Sequence, residues 1–164
     1  MPDPLTPSQR HANMAAIHGK DTKPEMVVRK WLWGHGFRYR LNHPRLPGKP
    51  DIVMRKYRTC IFVNGCFWHG HEGCKCYTVP KTNTAFWVNK VKRNKERDGE
   101  VCRQLASMGW HCITVWECGL TPARRENTLE MLVAALNRFY LQDHGFRPYD
   151  LPAESSLLAA EGMP

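Results

Sequence analysis

The chain has no apolar run approaching the length of a membrane span and no basic-then-apolar leader after Met1-Pro2-Asp3-Pro4. It also lacks internal repeats and low-complexity tracts. These absences argue against a membrane-spanning, secreted or repeat protein and lead us to expect a cytoplasmic one. Acidic residues are scarce: 15 Asp and Glu stand against 24 Lys and Arg, a formal net charge of +9. Such a field attracts a polyanionic partner such as a phosphate backbone. A reducing compartment leaves little use for disulfides, so the seven cysteines argue for metal ligation. At 164 residues the chain fits one domain with a real core.

The positive charge is concentrated. Lys90, Lys92, Arg93, Lys95, Arg97 and Arg103 crowd one segment that also carries Phe86 and Trp87. Basic residues interleaved with aromatics suit nucleic acid, although a solvated helix face reads the same way.

Residues 1–8, with three prolines, read as a flexible arm, 9–143 as the folded domain and 144–164 as a patternless tail. Gln9 to His18 is a short helix candidate. A second helix starts at Thr22, a plausible cap with Pro24 in the first turn, and ends at Gly34 and Gly36. Phe37, Tyr39 and Leu41 alternate with basic residues as in a strand, and the prolines from Pro44 to Pro50 make a loop. Strands are expected at Asp51–Arg55, at Thr59–Val63 as a buried central strand, and at Trp110–Trp116. The longest helix spans Thr84 to Met108, and Leu129, Leu132, Val133, Leu136 and Phe139 mark a closing one. The alternation implies an α/β protein with a mixed central β-sheet flanked by helices.

The chemistry gathers in Val63-Asn64-Gly65-Cys66-Phe67-Trp68-His69-Gly70-His71 and Cys74. Thiolate and imidazole are the ligands tetrahedral zinc prefers; Cys66, His71 and Cys74 supply three, and Cys118 is the best candidate for the fourth. Asp51, at the start of one strand beside another, can hold a hard cation such as magnesium. The neighbouring Ile61, Phe62 and Val63 add neither a second acid nor a lysine, so proton chemistry must come from elsewhere. If zinc takes His71, His69 is left as an imidazole suited to acid–base work. Blander roles exist for each: buried thiols, core aromatics (Phe86 above all), a Glu25 that merely favours its helix N-terminus, an Asp51 that caps a turn.

Several separated motifs stand in one order: Asn13-Met14, Lys20-Asp21-Thr22-Lys23-Pro24-Glu25, Leu46-Pro47-Gly48-Lys49-Pro50-Asp51, Gly65-Cys66-Phe67-Trp68-His69, Phe86-Trp87 and Val115-Trp116-Glu117-Cys118. From about residue 9 to residue 142 the chain resembles the very short patch repair endonucleases, bacterial mismatch-nicking enzymes with a restriction-endonuclease-like fold. The resemblance implies double-stranded DNA bearing a T:G mismatch as substrate, left by deamination of a methylated cytosine, nicked 5′ to the thymine.

It further implies catalytic magnesium at Asp51 and the Val63 backbone carbonyl, His69 as base for the attacking water, and Glu25 supporting the metal's waters. Phe67, Trp68 and Trp87 correspond to aromatics wedged beside the mismatch from the major groove and Met14 to a minor-groove wedge. Lys90 and Asn94 match positions that contact base edges. At Asn64 other members carry histidine or aspartate; an amide there can hydrogen-bond a water but accept no proton. Cys74 matches the family's structural zinc ligand better than Cys76, which is the reserve. Coupling to mismatch-repair proteins is a family expectation, and the lack of two-fold symmetry in a T:G pair favours a monomer. Two rivals share the basic and aromatic features: a non-catalytic zinc protein that senses distorted DNA, and a restriction-type nuclease acting on intact sites.

Overall fold

A computed structural model describes residues 4–145. Helix α1 (Pro7–Ala15) and helix α2 (Lys23–Gly34) precede strands β1 (Arg40–Leu41), β2 (Ile52–Met54) and β3 (Thr59–Asn64). Helix α3 (Thr84–Ser107), strand β4 (His111–Trp116) and helix α4 (Arg125–Asp143) follow. The sheet order is β1-β2-β3-β4, with β1-β2 and β2-β3 antiparallel and β3-β4 parallel. A parallel pair needs a long crossover, and the segment between Asn64 and His111, with α3 as its helix, provides it.

Alternation along the strands sorts two cores. Ile52, Met54, Ile61 and Val115 face α2 and α4, packing with Val28, Leu32, Leu129, Leu132 and Leu136. Val53 and Cys60 face the other way, against Leu105 of α3 and Leu46 of the β1–β2 loop. Side chains on a strand point alternately to opposite faces, so a sheet covered on both sides needs apolar residues at nearly every position; all three β2 residues are buried. Each fully buried leucine, such as Leu32 or Leu136, contributes about 2 kcal/mol.

Three expectations are corrected. The arm ends at Thr6, because a capping box between Thr6 and Gln9 starts α1 at Pro7, inside the segment read as flexible. The same helix stops at Ala15, short of His18. The alternating run from Phe37 pairs only at Arg40 and Leu41; Phe37 and Tyr39 instead pack on the α2/α4 core, and the Tyr39 hydroxyl donates to the Arg29 carbonyl. Residues 146–164 of the expected tail lie outside the described residues. Among those described, no helix is long and apolar enough to cross a membrane.

Candidate functional site

Strand direction brings the chemistry to one end of the sheet. Asp51 immediately precedes β2, and β3, running the other way, ends there at Asn64. Parallel to β3, β4 ends beside it with Trp116 opposite Asn64, so Glu117 and Cys118 emerge next to the loop holding Cys66, His69 and His71. The Val63 amide donates to Asp51 Oδ2 at 2.8 Å, locking the carboxylate across the strand pair. Burial pushes the Asp51 carboxyl up to about 6; the Val63 N–H opposes this, Glu25 adds to it, and Arg29 and His69 also oppose it. Four groups from α2, β2 and the loop after β3 thus share one electrostatic environment.

Glu25 is 3% exposed. As expected, Thr22 caps α2, its hydroxyl accepting from the Glu25 amide at 3.4 Å. The Glu25 carboxylate accepts from the Thr22 hydroxyl at 3.0 Å, from the Asp21 amide at 3.1 Å and from Arg29 Nη2 at 2.7 Å. Arg29, which sequence reasoning passed over, also reaches Asp21 Oδ1 at 2.5 Å. Its i,i+4 spacing from Glu25 was the available signal.

His69 Nδ1 lies 2.5 Å from Asp98 Oδ2 on α3. Asp98 was also missed, although Val91, Asn94 and Asp98 recur at helical spacing on one face of α3. That face meets the loop: Val91 is buried, and Asn94 Nδ2 donates to the Trp68 carbonyl at 2.8 Å. Gly70 makes the approach possible. It sits at φ +60, and a Cβ there would stand 2.5 Å from Val91 Cγ1.

Ligand atoms of Cys66, His71, Cys74 and Cys118 all lie within 4.8 Å of one another. A tetrahedral zinc with sulfur at about 2.3 Å has ligand–ligand edges of about 3.8 Å, so this set can close on a metal ion with small side-chain shifts. His71 Nδ1 is 3.5 Å from both Cys66 Sγ and Cys118 Sγ, and its ring stacks on Trp116 at 4.1 Å. The Cys76 amide, donating to Cys74 Sγ, pulls that thiol down to about 7, whereas burial pushes the Cys66 thiol up to about 12 and raises that of Cys118. Cys76 itself is exposed and outside the cluster. Glu117 Oε1 accepts from the Cys66 amide at 3.2 Å, which fixes the loop to the end of β4.

Phe67, Trp68 and Trp87 form one aromatic group, with ring centroids 5.2, 5.3 and 5.9 Å apart. Lys90 Nζ lies 5.3 Å from the Trp68 ring and 5.4 Å from Trp87. Phe86 is not a core residue. It is 56% exposed and joins the group through Trp87 at 5.3 Å, on a stretch of α3 whose first buried residue is Val91. Beside it Phe86, Lys90, Arg93, Asn94 and Arg97 line an open basic groove. Met14 stands apart on α1, a helix with no buried residue.

Comparison with known proteins fits this arrangement. The sequence model described as DNA mismatch endonuclease Vsr matches residues 2–76. The Neisseria meningitidis protein named type II nicking enzyme V.NmeAIP is 50% identical over 120 residues, covering 73% of this chain and 85% of that protein. The Escherichia coli DNA mismatch endonuclease Vsr is 40% identical over 139 residues, 85% of this chain and 88% of that protein. The chain belongs to the Vsr family.

A Vsr-family protein is a DNA endonuclease, a hydrolase of phosphodiester bonds, and DNA is its partner. A third relative, the Xanthomonas oryzae type II nicking enzyme V.XorIIP, is 41% identical over 135 residues, 98% of its length.

Proposed function

We propose that this Vsr-family protein is a magnesium-dependent endonuclease that recognises a T:G mismatch in duplex DNA, left by deaminated 5-methylcytosine, and nicks the strand 5′ to the thymine. On this reading it has a restriction-endonuclease-like fold and starts very short patch repair. The observation that carries the reading is the convergence at one sheet end of a half-buried carboxylate whose proton is held more tightly than usual, Asp51, and an imidazole held by a second carboxylate, His69.

Asp51 suits a divalent cation. Its carboxyl is kept from easy ionisation by burial and by Glu25, and a cation relieves both. We assign the metal to Asp51 and the Val63 carbonyl, where magnesium lowers the pKa of bound water and screens phosphate charge. His69 takes the proton of the attacking water through Nε2, since Nδ1 faces Asp98, and Asp98 holds the ring in that orientation. Glu25 and Asn64 border the same end; Asn64, an amide, can orient a water but cannot take its proton. Cys66, His71, Cys74 and Cys118 hold a structural zinc that sets the loop's shape.

Phe67, Trp68 and Trp87 enter beside the mismatched pair from the major groove, with Met14 opposite. A mismatched step stacks poorly, so opening it costs less than at a paired step, and aromatic faces replace lost stacking. Lys90 supplies charge beside them. Asn94, whose amide already donates to the Trp68 carbonyl, reaches base edges only with its remaining hydrogen-bonding capacity.

Asp51→Ala distinguishes this enzyme from a non-catalytic distortion sensor. The variant is expected to bind T:G duplex at least as tightly as the unmodified protein and to leave it uncut. Undiminished cutting by the variant contradicts the proposal.

A further inference from the structure

Arg40, Arg45 and Arg55 converge on an open pocket of about 690 Å³ at the free edge of the sheet, walled also by Leu41, His43 and Pro44. No carboxylate lines it, and among the described residues none of the three guanidiniums forms an ion pair. Like charges gathered without a counter-charge repel one another, and a bound anion turns that repulsion into attraction. Arginine in place of lysine narrows the kind of anion: the planar guanidinium presents paired N–H donors that match the oxygens of a phosphate.

The backbone holds this cluster in place. Arg40 sits on β1 opposite Val53, and Asn42, just past the strand, donates its amide to the Asp51 carbonyl at 3.4 Å. The loop beyond is pinned. The Arg45 amide donates to His43 Nδ1 at 3.4 Å, Leu46 is buried against Val53 and Leu105, and at Gly48 a Cβ would stand 2.5 Å from Val101 Cγ1 of α3. Arg55 opens the turn after β2. Charges on a fixed backbone lose less freedom on binding than charges on a loose arm.

Register gives the distance to the proposed cutting centre. Arg40 is level with Val53, two residues beyond Asp51, and Arg55 is four residues beyond it, so the cluster runs roughly 7 to 13 Å along the sheet from Asp51. A DNA strand presents one phosphate per roughly 3.4 Å of helix axis, which makes that reach roughly two to four phosphates. The groove of Lys90, Arg93 and Arg97 is lined by α3 alone, so the two basic surfaces are separate.

We propose that Arg40, Arg45 and Arg55 form a second phosphate clamp, which grips the DNA backbone a few nucleotides from the bond cut at Asp51. The proposal rests on the assignment of Asp51 to the cutting centre and is independent of which base pair is recognised. Phosphate contacts carry no sequence information, so the clamp adds affinity and fixes the register of the duplex, leaving recognition to the aromatic group.

The test is an anisotropy titration of labelled duplex with the zinc-loaded full chain, without magnesium, over a series of salt concentrations. The double variant Arg45→Gln, Arg55→Gln is expected to make the slope of log affinity against log salt shallower by about 2, and to weaken binding equally for a T:G and a fully paired duplex. Lys30→Gln with Arg138→Gln removes the same charge from α2 and α4 and is expected to keep the slope. Should the double variant not fold, Arg45→Gln and Arg55→Gln singly decide, each expected to lower the slope by about 1. An unaltered slope in the folded pocket variants, or an equal change in the Lys30, Arg138 control, overturns the proposal. So does an unaltered slope with lost binding to polyglutamate, which would give the pocket to an acidic protein surface. Failure of the unmodified protein to nick any duplex once magnesium is added refutes the role of Asp51, whereas the slope, read without magnesium, reports on the arginines alone.

Discussion

His69 Nδ1 and Asp98 Oδ2 stand 2.5 Å apart, joining the loop after β3 to the middle of α3. On the proposed mechanism, a carboxylate there fixes the tautomer of the imidazole and leaves Nε2 for the attacking water. Asp98→Asn is expected to slow nicking by about 100-fold or more while duplex affinity stays within about threefold. Single-turnover cleavage beside a binding titration checks this; an unchanged cleavage rate removes Asp98 from the account.

That pair also marks where sequence legibility ended. The motifs placed Asp51, His69 and the cluster of Cys66, His71, Cys74 and Cys118 in one region because each sits in or beside a short contiguous signature. Asp98 and Arg29 carry no such signature: their importance comes from which helix face meets the loop and from depth, both set by packing. The core helices and central strand were legible because apolar residues recur at their periods, whereas β1 was overextended because the Phe37–Tyr39 alternation serves packing on α2 and not a ladder. Phe86 was misjudged because an exposed and a buried aromatic look the same in a sequence.

Burial raises the Asp51 carboxyl from its ordinary range to about 6, and the sign of the consequence follows. The native state holds this proton more tightly than the unfolded chain does. Asp51 therefore costs no stability near pH 4, costs progressively more as pH rises toward 6, and costs its full amount above. Without added divalent ion, Asp51→Asn is expected to melt a few degrees above the unmodified protein at pH 7.5, with the gap closing by pH 4. A lower melting temperature for the variant at pH 7.5 contradicts the assignment.

The thiol cluster predicts a selective loss. Cys66→Ser or Cys118→Ser is expected to release about one equivalent of zinc and lower Tm by about 10 °C or more, because metal binding and folding are coupled. Cys76→Ser, outside the cluster, is expected to keep its zinc. Metal analysis by mass spectrometry with thermal melts reads both, and full zinc retention in the first two variants refutes the ligand set.

The aromatic group predicts a change in discrimination. Trp68→Ala is expected to weaken binding to a T:G duplex by about tenfold or more, as loss of one base–aromatic stack does, and to affect a fully paired duplex much less. Equal weakening for both duplexes makes Trp68 a folding contact, held by Phe67 and Trp87, and not a wedge.

The most direct measurement is strand-labelled nicking in magnesium, comparing two duplexes identical except for one T:G or T:A pair in a site of the kind cytosine methyltransferases modify. The account predicts a single cut 5′ to the thymine in the T:G duplex, abolished by chelator and by Asp51→Ala. Equal cutting of both duplexes, or tight mismatch binding with no cut, contradicts it.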